Sequence, residues 1–326
     1  MLLHGPNGAG KTNLLEALHV GTQGFSPRAR SDAQMVRFGA AAGRVTLRGW
    51  NADTAFEADV VLATGEARRA HLNGDRLASA ERLRHELRTL VFTPDRLAVV
   101  KGAPATRRAY LDRSLGRLTP ARASLPVEYA ACVGQRNACL RRLRAGSSSR
   151  EALQPWTEKV VTLGEALVVA RTEVAAMLVE PFAQFAGQLG LASAILGYDG
   201  ETPTVAQLDA RLDRDLDRGV TGAGPHLHDV RLDASGRELR SFGSQGEQRI
   251  AVLALVLAEA EILRSRTGSA PLVLLDDVLS ELDGERRRSL AAIVSKGGQT
   301  VITATAEAAL PTEPAQTLAV SPGAVR

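Results

Sequence analysis

The chain has 326 residues, 44% of them apolar and 23% charged, with a formal net charge of +4 and a pI near 9.4. That length exceeds one ordinary core and implies about two lobes. No apolar run approaches the roughly 18 residues of a membrane span, and no basic-then-apolar N-terminal segment marks a secretory signal, so a cytoplasmic protein without a membrane partner is expected.

Taken in order, the chain presents its chemistry at once. Gly5, Pro6, Asn7, Gly8, Ala9, Gly10, Lys11 and Thr12 fit G-x-x-x-x-G-K-[ST]. Glycines let the backbone curl so that several N–H groups converge on phosphate oxygens. Lys11 is then placed for the terminal phosphates, and the Thr12 hydroxyl for Mg²⁺. Asn13 to His19 has apolar residues at helical spacing, so the loop opens a helix whose N-terminus favours an anion. The alternative is a glycine-rich turn before a surface helix. Met1 to His4 serves as the preceding strand.

Gly21 to Arg30 reads as a loop. Segments 43–49 and 55–63 and the stretch Arg69 to Leu72 read as strands of an antiparallel meander, with turns at Thr64-Gly65 and Asn73-Gly74. A helix over 78–88 follows, then a strand from Thr89 toward Asp95. From about 120 to 218 the pattern is almost wholly helical, broken at Gly146 to Ser149, with a kink expected at Pro181. Cys132 and Cys139 are seven apart on one helix face, too far to bond, and read as small buried groups. Arg136, Arg141, Arg142, Arg144 and Arg150 gather at the tip of this helical region, either as a nucleic-acid patch or as a solvated helix end. Asp213, Asp215 and Asp217, alternating with arginines, read as a solvated face. His226, His228 and Asp229 lack a further ligand cluster, which argues against a metal there.

Ser244 and Glu247 form an S-x-x-E capping box ahead of an apolar helix from Arg249 to about Arg264. Capping explains Ser244 but not the glycines at 243 and 246, so a second anion site is expected at Ser244 and Gly246. Pro271 to Leu275 reads as a buried parallel strand ending in Asp276 and Asp277. Asp276 is the expected Mg²⁺ anchor and Asp277 the group that polarises the attacking water. Ser280, Glu281, Leu282 and Asp283 lead into a helix over 284–295. The strand Gln299 to Thr305 brings Thr303 or Thr305 toward the γ-phosphate.

The glycine loop, the run Ser244, Gly246 and Gln248, the strand ending in two aspartates and Ser280 to Asp283 occur in the order found in ABC-type ATPases of chromosome maintenance. Ser26-Pro27-Arg28, Val36 to Gly39, Phe92 to Leu97, Lys101-Gly102, Arg107-Arg108, Leu111-Asp112 and Gly224-Pro225-His226 extend the likeness, and nearly the whole chain resembles the RecF family. The resemblance implies an α/β fold: a P-loop ABC-type ATPase head with a mixed sheet and flanking helices, plus an inserted helical lobe. The head would comprise 1–118 and 221–326, and the lobe 119–220. It implies a weak, DNA-stimulated ATPase of recombinational repair, replication and the SOS response. Two copies would sandwich ATP between Lys11 and Thr12 of one and Ser244 and Gly246 of the other, closing on single- and double-stranded or gapped DNA. RecR, RecO and, indirectly, RecA are the implied partners. An ABC-type nucleotide-binding subunit of another machine, a membrane transporter included, and a non-hydrolysing DNA scaffold are the alternatives; a small-molecule kinase has no use for the Ser244 helix.

Two departures from the family pattern stand out. RecF-type chains carry strand residues upstream of the loop, and only Met1 to His4 stand there. A downstream start codon, a lost sheet edge and weaker ATP binding than an extended chain are therefore expected. Many ABC ATPases also carry glutamate, histidine and glutamine where this chain has Asp277, Thr303 to Thr305 and Thr93 to Asp95, which implies slow hydrolysis.

Overall fold

The computed structural model describes residues 1–29, 31–51 and 53–326; Arg30, the last residue of the expected loop after the first helix, lies outside them. Strand β1 (Leu2–His4) passes through the glycine loop into α1 (Lys11–Gln23). Next come β2 (Ala42–Asn51), β3 (Thr54–Ala63), β4 (Arg69–Leu72), β5 (Asp75–Arg76), α2 (Glu81–Glu86) and β6 (Thr89–Phe92). The middle of the chain holds α3 (Ala98–Lys101), α4 (Pro104–Leu118), α5 (Leu125–Arg144), α6 (Arg150–Gln188), β7 (Ala194–Tyr198), α7 (Val205–Ala210), α8 (Leu212–Arg218), β8 (Val230–Ala234), β9 (Arg237–Glu238) and α9 (Leu239–Phe242). The chain closes with α10 (Gln245–Thr267), β10 (Leu272–Leu275), α11 (Gly284–Gly297), β11 (Thr300–Ala304), β12 (Thr317–Ser321) and β13 (Ala324–Val325).

Two compact units result. The first holds Met1–Leu97, Phe185–Leu191 and Gln245–Arg326; the second holds Ala98–Gln184 and Ala192–Ser244. The expected helical lobe, 119–220, falls in the second unit apart from Phe185–Leu191, and that unit also takes in 98–118 and 221–244.

The first unit is built on a six-stranded sheet of order β13-β12-β1-β11-β10-β6. Its strands are parallel except for the β12–β13 hairpin, so the sheet is mixed as expected. Strands β6, β10 and β11 are buried almost end to end, the pattern of a parallel sheet covered on both faces. The expectation of a lost edge does not apply to β1, an interior strand paired with both β11 and β12. Helix α10 is also buried on nearly every face through its middle, from Gln248 to Glu259.

A second sheet, β2-β3-β4-β5, is the expected meander. Along β2 exposure alternates residue by residue, because one face packs on the core and the other meets solvent. Its inner face packs with Val20 of α1 around Ala58, Val60, Leu62 and Leu72. Gly21 permits this approach: a Cβ there would stand 2.4 Å from the Leu47 side chain. The expected loop at Gly21 starts three residues later. Helix α1 runs to Gln23, and Gly24 ends it in the left-handed conformation with φ +76°.

The secondary structure of the second unit departs from the sequence reading at β7. Region 120–218 is not wholly helical, for β7 pairs antiparallel with β8 and so joins a three-stranded sheet β7-β8-β9. Ala194 and Leu196 face inward while Ile195 points out, an alternation too short to distinguish from the end of a helix. Helix α6 continues through Pro155 and Pro181. Cys132 and Cys139 are free and buried, as expected. Among the described residues no helix is long and apolar enough to cross a membrane.

Candidate active site

The carboxyl ends of β1, β10 and β11 meet at one edge of the parallel sheet, and the glycine loop leaves from that edge. Gly5 has no room for a side chain, since a Cβ would stand 2.2 Å from the Val320 carbonyl oxygen. The Gly5 N–H donates to the Ala304 carbonyl at 3.3 Å, anchoring the loop to the end of β11. Gly10, with φ +102°, holds the N-cap of α1 and offers no capping side chain, and no acidic residue occupies the first turn. The helix thus presents its first N–H groups and the positive end of its dipole toward the loop. Lys11 Nζ donates to the Gly5 and Pro6 carbonyl oxygens at 2.7 and 2.9 Å. These bonds fold the ammonium over the loop that Asn7, Gly8 and Ala9 complete.

Two hydroxyl side chains from separate elements then close on one carboxylate. Thr12 Oγ1 donates to Asp276 Oδ1 at 3.0 Å. Thr303 Oγ1 donates to the same oxygen at 2.8 Å and accepts the Asp277 N–H at 2.8 Å. The Asp276 N–H donates to the Phe92 carbonyl at 2.9 Å, tying the end of β10 to β6. Asp276 and Thr303 are buried. The expectation that Thr303 faces the γ-phosphate is corrected here, because its hydroxyl is spent on Asp276 and Asp277; Thr305 is exposed.

Among the described residues Asp277 is one of four non-glycine residues with positive φ, at +47°. Aspartate tolerates the left-handed region better than most residues, and here the kink turns the chain sharply after β10. Its carboxylate has no hydrogen bond or ion pair among the described residues, and the residue is half-buried. Ser280 Oγ donates to the Asp277 carbonyl at 3.1 Å, and Asp283 caps α11 by accepting the Arg286 N–H at 2.9 Å. The segment between Asp276 and α11 is held at both ends.

Thr12 and Asp276 form the donor set of a small hard cation: two oxygens, one anionic, beside a phosphate loop. The 3.0 Å approach of their oxygens fits Mg²⁺, which keeps water and phosphate oxygens for its other positions. Among the described residues no group of three or more His, Cys, Asp or Glu could hold a metal ion, His226, His228 and Asp229 included.

The chain matches the RecF/RecN/SMC N terminal domain over residues 1–321. A protein of Heliobacterium modesticaldum named DNA replication and repair protein RecF is 38% identical over 323 residues, covering 92% of this chain and 85% of that relative. The chain belongs to the RecF family. A RecF of Anaeromyxobacter dehalogenans is 39% identical over 308 residues, covering 89% of this chain and 81% of its own. The solved structure of the recombination mediator protein RecF-ATP in the RecFOR pathway superposes with a TM-score of 0.87 at 26% identity, covering all of this chain and 90% of that one. An Smc head domain from Pyrococcus furiosus shares the fold, with a TM-score of 0.56 at 16% identity.

The RecF-like segments have concrete tasks. Ser26 Oγ accepts the Arg28 and Ala29 N–H groups at 2.9 and 2.7 Å and bonds to Glu16, fixing the turn after α1. In the second unit Arg107 grips Asp229 through two bonds of 2.7 and 2.6 Å, and Arg171 grips Asp112 through bonds of 2.7 and 2.9 Å. Gly224, at φ +127°, lies so close to Tyr129 that a Cβ would meet its hydroxyl at 2.4 Å. These residues brace the second unit.

In the run of Ser244, Gly246 and Gln248, the signature of the ABC-type resemblance, Ser244 takes the position before α10 and Gly246 lies in its first turn. Gly243 is required by packing, since a Cβ would stand 2.6 Å from the Leu239 carbonyl oxygen. The sequence reading missed Arg249. Buried in α10, its guanidinium lies 5.9 Å from the Phe92 ring centroid and 3.4 Å from Glu281. It links the signature helix to the end of β6 and to the segment after Asp277. A charged residue immediately before the apolar run that opens with Ile250 was the only signal available.

The arginine patch is also corrected. Arg136 is buried, bonded to Asp215, Thr157 and Thr221, and Asp215 is buried with it rather than part of a solvated face. Arg141, Arg142, Arg144 and Arg150 remain at or near the surface.

Proposed function

We propose that this chain is an ATP-dependent recombination mediator whose ATP is held by Gly5 to Thr12 and hydrolysed slowly with Asp277 as the base. The observation that carries the reading is the hydrogen-bonded series Thr12–Asp276–Thr303–Asp277 beside an uncapped helix N-terminus. Loop N–H groups and Lys11 bind the phosphates and offset the charge that builds on the γ-phosphoryl oxygens. Thr12 and Asp276 would hold Mg²⁺, which would supply positive charge to offset that of the phosphates. The unpartnered carboxylate of Asp277 orients a water and accepts its proton. Aspartate is one methylene shorter than the glutamate of many ABC ATPases, which favours slow turnover.

Ser244 and Gly246 complete the site from a second copy. ATP then joins two positive surfaces, and loss of the γ-phosphate parts them, so the dimer is gated by nucleotide. DNA, single-stranded, double-stranded or gapped, is the ligand of the closed dimer, bound through phosphates and with steep salt dependence. RecR and RecO are the proposed protein partners and RecA the recombinase served, in the cytoplasm.

The test is sedimentation with ATP and Mg²⁺, with and without gapped DNA, beside Lys11→Met and Ser244→Arg. Dimers that form with ATP and vanish in both variants are expected. A monomer that hydrolyses ATP regardless of DNA would overturn the reading.

A further inference from the structure

We propose a binding site for single-stranded nucleic acid at Trp50 and Arg88, separate from the ATP site. The proposal rests on the DNA-binding reading above. Trp50 is 73% exposed near the end of edge strand β2. Trp50 and Phe56 both line two cavities, of about 230 and about 520 Å³. Phe56 sits opposite Gly49 in the β2–β3 register, and its ring lies where a Cβ on Gly49 would meet it at 3.0 Å. The smaller cavity reaches Thr89, Leu272 and Gln299, at the amino ends of β6 and β10 and just before β11. The glycine loop leaves the opposite edge of that parallel sheet, so this site does not overlap the ATP site.

Charge decides what fits. Arg88 lines the smaller cavity, is half-buried, and its guanidinium has no hydrogen bond or ion pair among the described residues. The nearest acid in that lining, Glu86, is already held by Arg82 at 2.8 Å. In the larger cavity Arg48 precedes Trp50 by two residues on the same strand face, and Glu57 is paired with it at 2.7 Å. An exposed indole that lines both cavities, with the unpaired Arg88 guanidinium in the first and the Arg48–Glu57 pair in the second, suits a nucleotide and its neighbours along a strand. A base stacks on the Trp50 indole, its phosphate meets Arg88, and the strand continues past Arg48. Stacking on an indole tolerates any base, so no sequence preference is expected. An aromatic acidic peptide is the competing occupant, and a titration with such a peptide separates the two.

The test uses the full chain with Trp156→Phe, leaving Trp50 the only tryptophan of the two. Titration with a short oligothymidylate is expected to quench Trp50. Anisotropy of the labelled oligonucleotide should show Trp50→Ala and Arg88→Gln weakening single-strand affinity about tenfold or more, with partial rescue by Trp50→Phe and Arg88→Lys. Duplex DNA and a fluorescent ATP analogue should bind all variants alike. Single-strand affinity within about twofold of the parent in both variants would sink this site and leave the DNA-binding reading standing. No binding of single strand or duplex by the parent, with or without ATP, would sink both. Quenching by an acidic aromatic peptide but not by the oligonucleotide would reassign the cavity to a protein partner and overturn the proposal.

Discussion

Thr303 donates its hydroxyl proton to Asp276 at 2.8 Å and receives the N–H of Asp277 on the same oxygen. One buried hydroxyl at the end of β11 thus sets both acids at the end of β10. Thr303→Val would keep the shape, leave the Asp277 N–H without its acceptor and free Asp276 to rotate. The expected cost is about 1–3 kcal/mol of stability from the stranded N–H. Turnover should fall about 10–100-fold, the usual penalty for losing a group that orients a metal ligand. ATP binding should survive, because the loop and Lys11 are untouched, and Thr303→Ser should restore turnover. ATPase rates beside equilibrium nucleotide binding decide the matter; unchanged turnover in Thr303→Val would show that Asp276 needs no second anchor.

Asp277 separates chemistry from conformation in a way that substitution can expose. Asp277→Asn should bind ATP and dimerise with turnover reduced about 10²–10⁴-fold, the range of a general base. Turnover at the parent rate would remove Asp277 from that role. Its φ of +47° adds a second expectation. Asp277→Gly should melt above Asp277→Ala by the equivalent of about 1 kcal/mol, because only glycine enters the left-handed region without steric cost. Thermal melts of the two variants check this, and both should be inactive.

Much of this was legible beforehand, for identifiable reasons. Lys11, Thr12, Asp276 and Asp277 announce themselves because phosphate chemistry needs fixed residue types at fixed spacing. The meander of β2 to β4 follows from alternation and turn residues. Arg249 escaped because its meaning lies in partners, Phe92 and Glu281, that are distant in sequence. Strand β7 escaped because five residues between helices carry too little period. Arg136 and Asp215 were misplaced for the opposite reason. Charged residues in a charged stretch look solvated until the fold brings them together, and no local pattern distinguishes the buried pair from its exposed neighbours.

That buried pair gives a third prediction. Arg136 and Asp215 side chains are 1% and 2% exposed, 2.9 Å apart, with Thr157 and Thr221 completing the guanidinium's bonds. Removing one partner leaves a charge in the interior. Arg136→Met should cost about 3–5 kcal/mol, whereas Arg136→Met with Asp215→Leu should recover most of it. Salt-dependent DNA binding of the double variant should match the parent, since Arg136 does not reach the surface. Chemical denaturation and a DNA titration read the two halves; a double variant as unstable as the single one would mean the pair holds the unit by more than mutual neutralisation.

His226 makes the second unit sensitive to acid. Its Nε2 stands 2.9 Å from the Thr221 carbonyl oxygen, so that nitrogen carries the proton, and Nδ1, 2.8 Å from the Tyr129 hydroxyl, accepts. Burial pushes the imidazole below its ordinary value, outweighing the pull of the Thr221 carbonyl in the other direction. Burial likewise lowers His228, helped by Arg171. Protonating Nδ1 would reverse the Tyr129 bond, the hydroxyl oxygen then accepting from the ring. The sign follows from linkage: the unfolded chain binds the proton near pH 6.5 and the folded one only at lower pH, so between those values the unfolded state holds more protons. Stability is therefore full above about pH 6.5 and declines as the pH falls below it toward the folded value. His226→Gln, which keeps a donor and an acceptor but cannot titrate, should flatten the acid limb of the melting temperature below about pH 6.5 while lowering the plateau. An acid limb of equal slope in the parent and His226→Gln would place the sensitivity elsewhere, with His228 the next group to replace.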